Sequence, residues 1–347
     1  MGEGRGLRVE RFSGGAREWD AFARAQPGYT HFHQHGWKDL IEQVFEHECI
    51  YLSARDGLGQ LAAVLPLVRV KSLVFGHYLV SMPFLNYGGP LGTDEGVRAV
   101  TAEACRLGDA DGAKLLELRS RVALPLDLPV SHRKITVVLD LPGGRDPAPL
   151  WQALGSKLRA QVKRPQKEGL EVRFGPEQAE PFFRIFARHM RDLGTPTQPR
   201  ALFEALPRHF GESVWYGCAY LGSVPMAAGC GFRWGDEFEM TWASALSRHK
   251  RFAPNMLLYW AFMERAVREG LKVFNFGRCT PGAGTHQFKR QWGSRDEPLW
   301  WYQHGPGGTL ATPSPDAGAY AWGAKAWKRL PVAVATALGP RIVRLIP

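Results

Sequence analysis

The chain has 347 residues, 45% of them apolar and 12% aromatic, with twelve tryptophans; this fills the cores of two ordinary domains and excludes disorder throughout. Its 44 Lys and Arg against 33 Asp and Glu give a formal charge of +11, a field that favours anionic partners without choosing among phosphate-bearing substrates, nucleic acid and lipid. Cys49, Cys105, Cys218, Cys230 and Cys279 are scattered and never spaced C-x-x-C, so neither a disulfide framework nor a zinc ribbon is expected. The N-terminus has no apolar leader, and no apolar run approaches the roughly eighteen residues of a membrane span. A cytoplasmic protein, at most peripheral to the inner membrane face, is the expectation.

In the first half, Thr30-His31-Phe32-His33-Gln34-His35 would set three imidazoles on one face of a strand. No carboxylate or cysteine stands beside them in the sequence, so a polar edge or helix entry is expected and no metal site. Trp37, Leu40, Ile41 and Val44 recur at helical spacing, and apolar runs at 50–55, 61–70 and 78–84 read as strands. Asn86-Tyr87-Gly88-Gly89-Pro90 then forms either a tight turn after a buried strand or the lining of a cleft between domains. A helical pattern over 94–107 leads to an apolar strand, Gly112-Ala-Lys-Leu-Leu-Glu-Leu-Arg119, and a further strand covers 135–139. Periodicity stops at 141–149, where Gly and Pro dominate and a domain boundary is expected.

Beyond it, helical patterns cover 150–168, 177–192 and 199–209, the first carrying Lys157, Arg159, Lys163, Arg164 and Lys167 as a solvated or anion-binding basic face. A hairpin follows at 214–221 and 225–234 across Gly222-Ser223, and Gly235-Asp236 turns into a strand at 237–245. A helix over 254–268, with Asn255 as a capping or packing residue after Pro254, leads to the strand Gly270-Leu-Lys-Val-Phe-Asn-Phe-Gly277. Strand, helix, glycine turn and apolar strand thus occur twice in the same order, suggesting one α/β unit duplicated, with α+β layering. No G-x-x-x-x-G-K-[ST] loop and no G-x-G-x-x-G fingerprint is present, which removes the support for P-loop and Rossmann readings.

The densest functional pattern runs from Phe274 to Gly293. A strand enters the Gly/Pro-rich loop 277–284, followed by Phe288-Lys289-Arg290; glycines admit a ligand close to the backbone, and Arg278, Lys289 and Arg290 surround the loop with cations. Asn275-Phe276-Gly277-Arg278 followed by Phe288-Lys289-Arg290-Gln291-Trp292-Gly293 resembles the C-terminal signature of FemAB-like proteins, closest to the branch associated with exosortase/PEP-CTERM exopolysaccharide systems. Val80-Ser-Met-Pro-Phe-Leu-Asn-Tyr-Gly-Gly-Pro90, Lys157-Leu-Arg-Ala-Gln-Val-Lys-Arg164, Met190-Arg-Asp-Leu-Gly-Thr-Pro196 and Ala253-Pro-Asn-Met-Leu-Leu-Tyr-Trp260 extend the resemblance over nearly the whole chain.

The resemblance implies tandem GNAT-like domains, each a mixed, mostly antiparallel twisted sheet flanked by helices, that transfer an acyl or aminoacyl group to an amine. The expected domains are 1–145, 146–312 with the signature, and a basic amphipathic tail over 313–347. The family's Phe-Lys pair falls on Phe288 and Lys289, which makes Lys289 the expected catalytic residue, stabilising the carbonyl oxygen or clamping a phosphate. Phe288, Arg278, Arg290, Trp292, Asn86, Tyr87, Gly88 and Gly89 are expected at the substrate, and Arg159, Lys163, Arg164, Gly282 and Gly284 at the donor or its phosphates. The pyrophosphate loop pattern of ordinary acetyltransferases is not found, so the donor stays open between acyl-CoA and aminoacyl-tRNA, used as co-substrates with no permanently bound cofactor and no metal. Asp192, Glu239 and Tyr87 are candidate bases, with none chosen, and a Cys279–His286 nucleophile pair is the weaker chemistry. The expected acceptor is an envelope glycan or peptide precursor. A non-catalytic module binding such precursors or assembly proteins, and an RNA-binding protein without transfer, are the competing functions. The tail, with Trp322, Trp327, Lys325, Lys328, Arg329, Arg341, Arg344 and no acid after 316, reaches an anionic membrane surface or packs back on the body.

Overall fold

The computed structural model describes residues 6–72, 76–306 and 318–346, with only the backbone over 318–322. The start of the expected tail, 313–317, and the Trp322 side chain lie outside the described residues. The chain divides into two compact units: 1–134 with 298–314 and 344–347, and 135–297 with 315–343.

The first unit holds a twisted sheet of β1 (Arg8–Arg11), β2 (Glu48–Arg55), β3 (Leu61–Ser72), β4 (Gly76–Ser81), β6 (Leu115–Ser120), β15 (Trp300–His304) and β7 (Val130–Ser131) in that spatial order, with β5 (Leu91–Gly92) paired to β3. Around it lie α1 (Ala16–Arg24), the short α2 (Gly36–Leu40) and α3 (Asp94–Ala110). Helix α3 begins where the Thr93 side chain accepts the Gly96 N–H at 3.1 Å, an N-cap worth about 1 kcal/mol, and buries Val97, Val100 and Ala104 at helical spacing. The helix expected around Trp37 widens after Leu40 into π geometry, Ile41–Phe45, which brings Phe45 into the core. Residues His31–His33 form a 3₁₀ turn and not a strand, because His33 Nδ1 accepts the Thr30 N–H at 3.0 Å and closes the turn. Burial holds the His31 imidazole down at about 3 and that of His33 at about 4, so both are neutral packing groups.

The second unit orders its sheet β14 (Arg295–Pro298), β8 (Ile135–Asp140), β13 (Val273–Cys279), β12 (Glu237–Ala245), β11 (Val224–Trp234), β10 (Val214–Leu221) and β9 (Leu170–Phe174). Its helices are α4 (Ala148–Ala153), α5 (Ser156–Lys167), α6 (Ala179–Leu193), α7 (Arg200–Phe210), α8 (Pro254–Arg268), the short α9 (Gly284–Arg290), α10 (Gly318–Trp327) and α11 (Val332–Val343). Phe238, Phe274, Phe262 and Trp215 stack in its core, where truncating one such ring costs about 3–5 kcal/mol.

The two units repeat one device. In each, an antiparallel meander ends in a strand that pairs in parallel with the strand after the next long helix: Tyr78 with Leu115 through Val80 with Glu117, and Glu237 with Val273 through Glu239 with Asn275. The fold is therefore α+β with two GNAT-like domains in tandem. The unit boundary differs from the 145 expected. Strand β8, read as part of the first half, pairs with β13 in the second sheet, while β15 from the far end of the chain pairs with β6 in the first. The first sheet takes β15 from beyond the second unit's sequence, and β8 pairs with β13 across most of its own unit, long-range pairings that local periodicity does not encode. Strand β4 also stops at Ser81, short of the expected 84, because Met82 and Phe84 take positive φ of 54° and 70° and turn the chain away.

Candidate active site

The signature strand is interrupted where it meets the site. Register between β13 and β8 shifts between Asn275 and Arg278, so Phe276 and Gly277 form a bulge, with Gly277 at φ 72°. Asn275 secures the break: its Oδ1 accepts the Gly277 N–H at 2.8 Å and the Thr136 hydroxyl at 2.6 Å, and its Nδ2 donates to Glu237 at 2.8 Å. The carbonyls of Gly277 and Arg278 are taken by Lys289, whose Nζ donates to them at 2.6 and 3.0 Å. An ammonium has three N–H groups, so one remains for a ligand.

Helix α9 places Lys289 on the wall of a cavity of about 290 Å³, with His189 from α6, Ser244 from β12, Asn255 and Tyr259 from α8, and Gly284, Thr285 and Phe288 from α9 itself. Its β12 wall, Ala243 to Ala245, lies beyond the last residue of that strand's parallel ladder with β13, Glu239. Lys289 is 7% exposed, and burial lowers its pKa to about 8, with Cys279 and Glu239 pulling it up and Arg278 down. It is therefore a desolvated cation that still carries its proton at neutral pH. His189 Nδ1 lies 2.9 Å from the Ser244 hydroxyl, and burial holds the imidazole below its ordinary range against the opposing pull of Asp192. A neutral base candidate and a buried cation thus line one cavity.

The other expected residues divide sharply. Phe288 borders the cavity, edge-on to Tyr259 at 4.9 Å, and Gly284 lines it as the first residue of α9. Gly282 supports the loop instead, its N–H donating to His286 Nδ1 at 3.0 Å. His286 Nε2 lies 3.0 Å from Asp296, so both imidazole nitrogens are engaged away from Cys279 and the nucleophile pair is not formed. Trp292 is only 2% exposed and packs in the core, off the wall of this cavity. Arg290 turns to the Ser294 carbonyl and to Asp296, holding the end of α9. Arg278 lends the site its carbonyl and not a wall of the cavity.

On α5, Arg159 donates to the Gln152 and Leu154 carbonyls at the helix start, Lys163 lies over the Trp151 ring at 5.7 Å, and Arg164 faces solvent; none of the three lines the cavity. Asn86, Tyr87, Gly88 and Gly89 belong to the first unit, where they are buried. The Gly88 and Gly89 N–H groups donate to the Arg119 carbonyl at 2.9 and 2.8 Å, and a Cβ on Gly88 would strike Met82. They form a packed turn within the first unit. Of the candidate bases, Tyr87 and Glu239 are fully buried, and Asp192 pairs with Arg191 at 3.0 Å.

Two groups escaped sequence reasoning. His189 reads as one polar position on an amphipathic helix, although it directly precedes Met190 of a family-like segment. Arg248, Lys250 and Arg251 crowd the 3₁₀ turn Ser247–Phe252 just before α8, and after burial Arg248, Arg251 and Arg188 push His249 further below its ordinary range. Ala253 at φ 49° turns this segment into α8 and presents the N-terminus of a 15-residue helix beside Asn255. The run was visible in the sequence; its position against a helix start was not.

A larger cavity of about 500 Å³ lies elsewhere in the second unit, lined by Trp215, Tyr216, Arg233, Arg265 and Glu269 among others. Size does not select it: its arginines are engaged by Glu269, Phe174 and Trp215, and the glycine loop and Lys289 belong to the smaller cavity.

Residues 156–290 match the family model of the acetyltransferase (GNAT) domain. No curated protein matches the sequence. Among solved structures the chain is similar to FemX at 12% identity, covering 85% of this chain and 97% of that one with a TM-score of 0.64. It is also similar to the C-terminal domain of a putative lysylphosphatidylglycerol synthetase from Agrobacterium fabrum, at 12% identity over 84% and 91% of the two chains, TM-score 0.56. L-PGS from Bacillus licheniformis aligns at 13% identity over 95% and 96%, TM-score 0.54. The chain therefore has the fold of FemX, with a GNAT acetyltransferase match over the segment that builds the cavity around Lys289.

Proposed function

We propose that the protein is a FemAB-like acyltransferase that moves an acyl or aminoacyl group to an amine of a cell-envelope precursor, a peptide or an amino-sugar-containing exopolysaccharide component. The observation that carries this reading is the pairing of a buried Lys289 cation with a neutral His189 on one cavity, inside the segment that matches the GNAT domain. The donor's carbonyl oxygen is stabilised by the third N–H of Lys289 as negative charge develops. In the tautomer that donates from Nδ1 to Ser244, His189 keeps its Nε2 lone pair and accepts the proton of the attacking amine. The new C–N bond forms as the C–S bond of a thioester or the C–O bond of an aminoacyl ester breaks, and the leaving sulfur or oxygen takes up that proton.

Arg248, Lys250, Arg251 and the start of α8 are the groups suited to the donor's phosphates, a role first expected of Arg159, Lys163 and Arg164. FemX, the putative lysylphosphatidylglycerol synthetase domain and L-PGS share the fold, which supports an aminoacyl donor beside acyl-CoA and an acceptor at the cell envelope. The partners on this reading are the acyl donor, the envelope precursor and an anionic membrane surface.

The test is to incubate the purified protein with labelled acyl-CoA mixtures and, separately, with charged tRNA, each with amine-bearing envelope precursors. Product with one donor class that disappears in Lys289→Ala supports the reading. Binding of precursors without product from either donor identifies a non-catalytic module instead.

A further inference from the structure

Helix α11 is built the wrong way round for a surface helix. Its sequence is apolar on every side apart from Thr336 and Arg341, yet it is covered on one side only. The buried stripe consists of its smallest residues, Ala335 and Gly339, one turn apart; Gly339 sits so close to Thr197 that a Cβ there would fall within 3 Å of the backbone. Two of its larger residues face outward, Val334 and Leu338, each 40% exposed, and Ala333, Ala337 and Arg341 complete the same arc, while Val332, Ile342 and Val343 are half-buried. An ordinary amphipathic helix buries its large apolar residues and shows polar ones to water, so this arrangement leaves an apolar strip that needs a cover.

The segment is not a loose tail. Arg191 on α6 donates to the Lys328 and Leu330 carbonyls at 3.2 Å each, and Gly194 lies against Ala324. Leu193, 53% exposed, ends α6 beside this anchorage. Exposed Lys325, Lys328 and Arg329 precede the strip and Arg341 lies on it, while residues 317–347 contain no acid. Trp327, half-buried between the two helices, has the amphipathic ring enriched at membrane interfaces.

We infer that α10 and α11 form a docking surface for an anionic lipid bilayer, with Val334 and Leu338 entering the acyl boundary and Lys325, Lys328, Arg329 and Arg341 meeting the headgroups. Charge decides the occupant. A second copy of this chain carries the same positive field and would be repelled, whereas anionic headgroups attract every cation of the segment and fatty chains cover the strip. No helix among the described residues is long and apolar enough to cross a membrane, so the contact is interfacial. This specifies the membrane partner of the function proposed above, and its test reads binding without turnover, so either reading can fail alone.

The test is co-sedimentation of the full chain with phosphatidylcholine vesicles, with and without phosphatidylglycerol, at low and high salt. Binding is expected only to the anionic vesicles and is expected to weaken as salt rises. The triple variant Lys325→Gln, Lys328→Gln, Arg329→Gln should weaken it by about fivefold per cation removed, roughly a hundredfold together. Val334→Ser with Leu338→Ser, at exposed positions that leave the fold intact by circular dichroism, should lose binding even with every charge retained. No binding to anionic vesicles, unchanged binding in either variant, or self-association that the two serines abolish would each overturn the inference, the last by assigning the strip to a second copy.

Discussion

The two units carry the same short parallel ladder and use the space beyond it in opposite ways. In the first, the chain fills it. The Ser81 hydroxyl accepts the Arg119 N–H at 2.7 Å, the Gly88 and Gly89 N–H groups take the Arg119 carbonyl, and Met82, Leu85 and Tyr87 pack into the gap. A buried network backs it: Arg119 donates to Glu117 at 2.8 Å, and Gln303 donates to the other oxygen of Glu117 at 2.8 Å. In the second unit β12 runs on past its ladder to Ala245 and then into the 3₁₀ turn Ser247–Phe252. The space stays open, its strand break is held by Asn275, and Lys289 occupies the freed carbonyls. A duplicated architecture therefore carries two latent clefts, of which the sequence plugs one and equips the other.

The sharpest way to break this contrast is to remove the equipment. Lys289→Met keeps the stem and removes the cation, and kcat in the transfer assay is expected to fall by about a hundredfold to a thousandfold with the fold retained. The same variant reports on stability. Because the folded pKa of Lys289 is about 8, below the usual lysine value, the wild type bears the cost of a buried charge below pH 8. That cost disappears as pH rises from about 8 towards 10.5, so the wild type should gain on Lys289→Met over this interval, read as a difference in denaturant midpoints. His189→Gln should lower kcat by about a hundredfold and erase the acidic limb of the pH–rate profile, leaving the alkaline limb near 8.

Smaller effects sharpen the other half of the comparison. Asn275→Ala removes the acceptor of the Gly277 N–H and of the Thr136 hydroxyl and should cost about 1–3 kcal/mol in urea melts while also slowing transfer, because the break that presents its carbonyls to Lys289 is no longer held. Gly88→Ala forces a side chain into φ 156° against Met82 and should cost about 1–3 kcal/mol of stability with kcat unchanged. A fall in kcat there, with stability intact, would show that the filled cleft takes part in the reaction.

The repeated unit was legible because each helix, glycine turn and apolar strand is local, and the periodicity read over 94–107 and 254–268 falls on α3 and α8. The exchange of β8 and β15 between the sheets was not, since pairing across more than a hundred residues leaves no trace in a sequence window. Within the signature, Lys289 and Phe288 reach the cavity while Trp292, three residues on from Lys289, goes to the core: the helix ends at Arg290 and turns the next aromatic inward. Glycine freedom serves self-packing at Gly88 and Gly89 and breaks a strand at Gly277; composition is the same in both, and only the partner of the freed backbone distinguishes them.

The plugged gap between β4 and β6 also fixes a number that calorimetry can count. With residues 82–89 packed beyond that ladder, the reading proposed above has one donor site, the cavity around Lys289, so titration with the true donor should give one equivalent per chain and a simple hyperbola. Sigmoidal saturation would then have to arise from association between molecules and not from communication between the twin halves of one.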